Sequence, residues 1–288
     1  MASFQGLAAL ASESVAVWMN GELLPDDEAR ISIFDHGLVA GDGVFETIKV
    51  VAGQPFALSR HLTRLNRSAA GLGLPEADLD AIRAGALAVI ENTAPMPLAR
   101  MRITATAGIA PLGSERGSSD LTVIIALAAQ QPPAAAVDVV VVPWPRNEHG
   151  ALAGLKTTSY AENVRALGYA AEQGGKEAIF ANTAGQLCEG TGTNVFVVSG
   201  GRLITPPLSA GCLAGVTRSL VIEWVGAAEN NLPISALANA EEAFLTGTTR
   251  DVQPVRNVNG SKLPAVPGPI TRKAVEVFAM RAAESPNP

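Results

Sequence analysis

Apolar and polar positions alternate along residues 14–24 ("SVAVWMNGELL"), interrupted at Asn20-Gly21, a pair suited to a two-residue turn, so this stretch is predicted as a β-hairpin. A second hairpin is predicted over 44–58 ("VFETIKVVAGQPFAL"), turning at Gly53 to Pro55. The period then lengthens from two to three and four. In 60–74 the residues Leu62, Leu65, Ala69 and Leu72 make one apolar stripe. In 78–92, beyond Pro75, Leu79, Ile82, Ala86, Val89 and Ile90 make another, which predicts two helices. Alternation returns over 99–108 ("ARMRITATAG") and 120–128 ("DLTVIIALA"), giving strands that complete a small α+β domain.

The stretch 130–137 ("QQPPAAAV") has the composition of an extended linker, which places a domain boundary there: 1–131 as a small domain and 132–288 as a larger one. In the second half the pattern predicts a buried strand over 137–143 and a helix over 160–175 closed by glycines. A strand over 177–182 and a hairpin over 194–206 follow. Beyond them come a helix over 215–229, a strand over 242–249, a hairpin over 250–264 turning at Asn259-Gly260, and a last helix from about Pro269. The fold class expected is α+β in two domains.

Composition narrows what such a chain does. Its 288 residues are 48% hydrophobic, enough for a sizeable core, and the formal charge is -6. With a pI near 5.2 and no basic run, nucleic acid and anionic membrane are poor partners and small molecules good ones. The first eighteen residues lack a basic leader and a long apolar stretch, so a cytoplasmic setting is expected. The cysteines Cys188 and Cys212 form no CxxC pair, and His36, His61 and His149 are scattered, so neither a disulfide framework nor a metal site is expected. GxSxG, GxxxxGK[ST] and GxGxxG after a strand are all missing.

Three separated features point toward one chemistry. In "LAGVTRSLVIEW" (213–224), Gly215 and Val216 precede Thr217 at the start of an apolar helix. Free amides there with a threonine hydroxyl as cap would cup a phosphate, or be an ordinary helix cap. In "LCEGTGTNVFVV" (187–198), Glu189 stands at the mouth of a buried strand. It needs turn amides, an arginine or a protonated ring as partner, because burying a lone carboxylate is costly. A ring nitrogen about 4 Å away would be held by about 4 kcal/mol at an effective dielectric near 20. In "AGLKTTSYAENV" (153–164), Lys156 lies among small hydroxyl residues with no acid within five positions; it reads as a solvated loop lysine or as an amine whose pKa is lowered for attack. An amine, a ring partner and a phosphate cup are the parts of a pyridoxal 5'-phosphate site.

Six ordered motifs span nearly the whole chain: "GDGVFE" (41–46), "RHLTRL" (60–65), "LKTTSY" (155–160), "CEGTGTNVF" (188–196), "LAGVTR" (213–218) and "FLTGTTRDVQPV" (244–255). This series resembles the class IV aminotransferases, the fold-type IV pyridoxal phosphate enzymes. They include branched-chain aminotransferases, D-amino acid transaminases, (R)-selective amine transaminases and 4-amino-4-deoxychorismate lyase. The resemblance implies a two-domain fold, a small α/β domain beside a larger barrel-like sheet with flanking helices, assembled as a homodimer. It also implies roles: Lys156 bonds the cofactor and shuttles the proton, Glu189 pairs with the pyridine nitrogen, and Arg64, Val216, Thr217 and Thr248 hold the phosphate. Thr249 lies near the substrate and Tyr160 faces the cofactor or packs at a rim. Arg64 also reads as part of a solvated helix face with Arg60 and Arg67.

Substrate choice is less defined. Phe45 occupies the position where D-amino acid transaminases commonly carry tyrosine, and Thr106-Ala107-Gly108 stands where they carry an arginine that binds the carboxylate. Alternation puts Arg100, Arg102 and Thr104 on one strand face, as a carboxylate clamp or as edge-strand charges facing water. The activity implied is transfer of an amino group between an amino acid, D or branched-chain, and a 2-oxo acid. The alternatives are a lyase giving 4-aminobenzoate and pyruvate, and a cofactor carrier without catalysis.

Overall fold

A computed structural model describes residues 16–288, so Ser14 and Val15 of the first predicted hairpin lie outside the described residues. The chain divides between Gln131 and Pro132 into two compact units, with Asn287 grouping with the first. The first unit carries an antiparallel six-stranded sheet in the order β2-β1-β6-β5-β3-β4. Its strands are β1 (Ala16–Met19), β2 (Glu22–Pro25), β3 (Gly43–Val51), β4 (Gln54–Pro55), β5 (Leu98–Thr106) and β6 (Thr122–Ala129). The β1–β2 turn has Asn20 at φ 50 and Gly21 at φ 100, the double left-handed turn that matches strand twist.

The helices of this unit are α1 (His36–Val39), α2 (Leu58–Leu72) and α3 (Leu79–Glu91). No feature of the sequence signalled α1, whose cap is the Asp35 carboxylate accepting the Gly37 N–H. The stripes at Leu62, Leu65 and Ala69 and at Ile82, Ala86 and Val89 are buried against Ile48, Val50, Met101 and Ile103 of the sheet. Because β5 runs between β3 and β6, Arg100 and Arg102 are not on an edge strand, which corrects one of the two readings above. Likewise Arg64 is buried, whereas the solvated-face reading grouped it with the exposed Arg67.

The second unit is built on a closed sheet. Its strands are β7 (Val137–Val141), β8 (Glu177–Ala181), β9 (Leu187–Gly190), β10 (Asn194–Ser199), β11 (Arg202–Thr205), β12 (Ala228–Glu229), β13 (Glu242–Gly247), β14 (Asp251–Val258) and β15 (Ser261–Lys262). Eight of them run in the order β12-β11-β10-β13-β14-β7-β8-β9, with β15 paired to β14 off this path, and β9 pairs back onto β10, so six of them close into a barrel. The closing register is a single pair, Glu189 opposite Asn194. Alternate residues face two cores: Val139, Ile179, Leu187 and Val197 on one side, and Val140, Ala178, Phe180 and Cys188 on the other. Both faces being buried explains why 137–142 reads as a nearly continuous apolar run.

Around the barrel lie α4 (Ala161–Glu172), α5 (Val216–Val225), α6 (Ser235–Ala238) and α7 (Pro269–Glu284). Ala166 and Ala170 of α4 pack into the second core. The helix expected over 215–229 stops at Val225, because Gly226 takes φ 83 and ψ 98 and the chain then forms β12 beside β11. The short elements β9, β12 and α6 carry no period long enough to be seen in sequence.

Phe196 and Phe244 face each other across β10 and β13, stacked at 4.8 Å between ring centres and fully buried. Phe196→Ala is expected to cost about 3–5 kcal/mol in urea unfolding; a cost under about 1 kcal/mol would show that this pair does not organise the barrel.

Candidate active site

Lys156 sits in the loop between β7 and α4, half-buried, after a series of tight turns that ends with the Leu155 N–H on Leu152 O at 3.1 Å. Its Nζ lies 5.8 Å from the centre of the Tyr160 ring. Tyr160 is the cap of α4 rather than a residue within the helix, and its hydroxyl donates to the Thr191 carbonyl at 3.0 Å. Asn163 Nδ2 donates to the same carbonyl at 2.6 Å, so α4 and the loop after Glu189 are tied at one oxygen. Burial raises the Tyr160 pKa, and the Glu189 carboxylate adds to the rise.

Glu189 lies within β9, with 13% of its side chain exposed. Oε2 accepts the Leu213 N–H at 2.9 Å, while Oε1 is 3.8 Å from Arg146 Nε, beyond hydrogen-bond reach. Burial pushes its pKa up, and Arg146, the Leu213 N–H and the Lys156 ammonium pull it back. Arg146 itself is spread over Phe180, 4.1 Å from the ring centre, and donates to Glu162 and Asn163 at 2.8 and 2.9 Å. Its Nε is buried without a hydrogen bond. Sequence reasoning missed Arg146, because its approach to Glu189 depends on the bridge between residues 146 and 182, which leaves no local signature.

The helix α5 starts from Gly215, whose cap position carries no side-chain hydrogen bond and whose first turn holds no acid. Thr217 is therefore not the cap, contrary to expectation; it is the second helical residue, buried at 5% exposure beside Val216. The amides of Val216 and Thr217 lie in the first turn, where no intrahelical acceptor exists. A side chain at Gly215 would collide with Asn194 Oδ1, so the helix start is pressed against the barrel seam. Thr248 and Thr249 are half-buried in the turn between β13 and β14, closed by the Arg250 N–H on Gly247 O at 3.0 Å. The Thr193 hydroxyl, in the β9–β10 loop close to Gly247, is buried without a hydrogen-bond partner. A protonated ring nitrogen suits the exposed edge of Glu189, and an anion suits the uncapped helix start. The residues present therefore fit pyridoxal 5'-phosphate.

The remaining expected residues belong to the first unit. Arg64 grips Glu46 through Nε and Nη2, both at 2.7 Å, and His61 Nδ1 meets the same carboxylate at 2.7 Å. Phe45 is buried on β3, and the Arg102 guanidinium lies 3.8 Å from its ring centre while Nε donates to Thr104 Oγ1 at 3.1 Å. Arg100 is exposed on β5, two residues before Arg102 and opposite Lys49 of β3.

The sequence profile of the amino-transferase class IV family matches residues 43–258. The chain belongs to the class IV aminotransferases. It is thus a pyridoxal phosphate-dependent enzyme, as its family is. This aminotransferase-family chain is similar to a branched-chain aminotransferase structure from Thermoproteus uzoniensis, with TM-score 0.87 and 30% identity, over 92% of this chain and 94% of that one. A D-alanine aminotransferase of Staphylococcus haemolyticus is 28% identical over 91% of this chain and 96% of the relative. An aminodeoxychorismate lyase of Bacillus subtilis is 28% identical over 84% and 86%.

Arg64 and His61 hold the Glu46 carboxyl well below the usual carboxylate range against the opposing cost of burial. A lowered folded-state pKa means the contribution is complete above the unfolded value and is lost as pH falls through the folded one. Glu46→Gln is expected to lose about 3 kcal/mol at pH 7, measured by urea unfolding. The gap from wild type should narrow as pH drops below the ordinary glutamate range, and a gap that is constant with pH would remove the ionised Glu46 from the account.

Proposed function

We propose that this enzyme moves an amino group between an amino acid and a 2-oxo acid in two half-reactions, with pyridoxal 5'-phosphate carried by the second unit. The observation that carries the reading is that Lys156, the Tyr160 ring and the Glu189 carboxylate gather around one region of that unit, beside an uncapped helix start. When bound, the cofactor supplies an electron sink for the substrate carbon that loses its proton. Lys156 would hold the cofactor, and its Nζ would take that proton and return it. Glu189 would hold the proton of the ring nitrogen, and the charge of Arg146 at 3.8 Å favours the ionised form of Glu189. Tyr160, anchored on the Thr191 carbonyl, supports one face of the site.

The amides of Val216 and Thr217 and the Thr248 hydroxyl bind the phosphate in this reading. Arg64 is proposed as a further phosphate cation by its motif. For substrate, Arg102 stacked on Phe45 and tethered to Thr104 is the better candidate for a carboxylate fork than Arg100, which has no such support. Thr249, next to Thr248 in the turn between β13 and β14, is proposed as a substrate contact. The enzyme is proposed to act as a cytoplasmic homodimer on small amino and oxo acids. Among the described residues no helix is long and apolar enough to cross a membrane.

A lyase that releases pyruvate and 4-aminobenzoate is the second reading, favoured by the similarity to the Bacillus subtilis lyase. One panel separates them: D-alanine, L-leucine and (R)-phenylethylamine, each with a 2-oxo acid, and aminodeoxychorismate alone. Pyruvate formed without an oxo acid acceptor would replace the transfer reading with the lyase. In either case Lys156→Ala should fold, by circular dichroism, yet turn over below about a thousandth of wild type. Glu189→Ala should keep bound cofactor and lose most of kcat; unchanged kinetics would remove Glu189 from its role.

A further inference from the structure

A buried acid outside these assignments has partners on two loops of the second unit. Glu177 opens β8 with 2% of its side chain exposed. Its Oε1 accepts the Ala178 N–H at 3.1 Å, the Thr191 N–H at 3.0 Å and the Thr191 hydroxyl. Its Oε2 lies 3.1 Å from Arg250 Nη2. Thr191 is the residue whose carbonyl receives Tyr160 and Asn163. Arg250 directly follows Thr248 and Thr249, closes their turn with its own N–H, and donates through Nη1 to Gln253 Oε1 at 2.7 Å. The two loops meet closely, since a Cβ on Gly247 would come within 3.2 Å of the Gly192 carbonyl.

The barrel does not need this carboxylate for its ladder, because β8 already pairs with β7 on one side and β9 on the other through backbone. A charge this deeply buried is costly unless its partners compensate. What the pair adds is a fixed distance between the loop that anchors Tyr160 and the turn that presents Thr248. We propose that Glu177 and Arg250 are positioning residues that set affinity for the cofactor's 5'-phosphate, an inference that rests on the cofactor reading given under Proposed function. Glutamine at 177 keeps an acceptor for Thr191 but loses the attraction for Arg250, so it separates the two tasks.

The test strips the protein of cofactor and titrates it, by absorbance, with pyridoxal 5'-phosphate and with pyridoxal, which lacks the phosphate. Wild type should prefer the phosphate ester. Glu177→Gln and Arg250→Met should each lose about tenfold of that preference, a change of roughly one hydrogen bond to a charged group, with pyridoxal affinity held. The double variant should lose no more than the worse single, as expected of one coupled pair, and Arg250→Lys should recover part of the loss. Equal losses for both ligands, additive losses or no loss would overturn the proposal. Should Glu177→Gln fail to fold, Arg250→Met, at the more exposed end, carries the same comparison. A wild type that takes up neither ligand overturns the cofactor reading and this proposal together, whereas normal wild-type uptake with unaffected variants overturns this proposal alone.

Discussion

One backbone pair, Glu189 opposite Asn194, turns a sheet of the second unit into a barrel. Both residues then reach the same peptide segment: Glu189 accepts the Leu213 N–H and Asn194 Nδ2 donates to the Leu213 carbonyl at 2.8 Å. That segment leads two residues later into Gly215 and the start of α5. The seam of the barrel, the acid proposed for the ring nitrogen and the helix start proposed for the phosphate are thus one mechanical unit. A shift of one residue in the seam would turn Glu189 to the opposite face and detach α5 from it.

The buried acids follow one rule with different partners. Glu46 is satisfied by an arginine and a histidine, and Glu242 by the first amides of α7, Ile270 and Thr271, at 3.2 and 2.7 Å. Glu177 combines amides with an arginine. Glu189 is the exception, with one amide and an arginine just out of reach, and its pKa is raised where that of Glu46 is lowered. An acid left short of partners is the one with capacity for a ligand.

Much of the architecture was legible because burial on one face imposes a period. The stripes of α2 and α3 and the alternation of β3, β5 and β6 each repeat over several residues, and Asn20-Gly21 marks its turn by backbone preference. Seam closure was not legible, since a single pair between residues five apart has no period. Within the candidate site, Glu189 could be picked out because an acid at the mouth of a buried strand needs a partner, Lys156 because it stands among small hydroxyl residues with no acid near it, and Tyr160 through the family resemblance. Arg146 and Glu177 could not, because their partners come from distant loops and no spacing in the chain encodes them. Thr217 was assigned the cap by residue type, while Gly215 took that position because the neighbouring Asn194 leaves no room for a side chain.

The guanidinium of Arg102 lies on the phenyl face of Phe45. One side of the cation is therefore shielded from water by hydrocarbon, and its hydrogen bonds run along its planar edge, as the one from Nε to Thr104 does. Such a group discriminates by shape as well as by sign: flat two-oxygen anions match its edge, and spherical halide ions do not. A lysine at 102 would keep the positive charge and forfeit that selectivity.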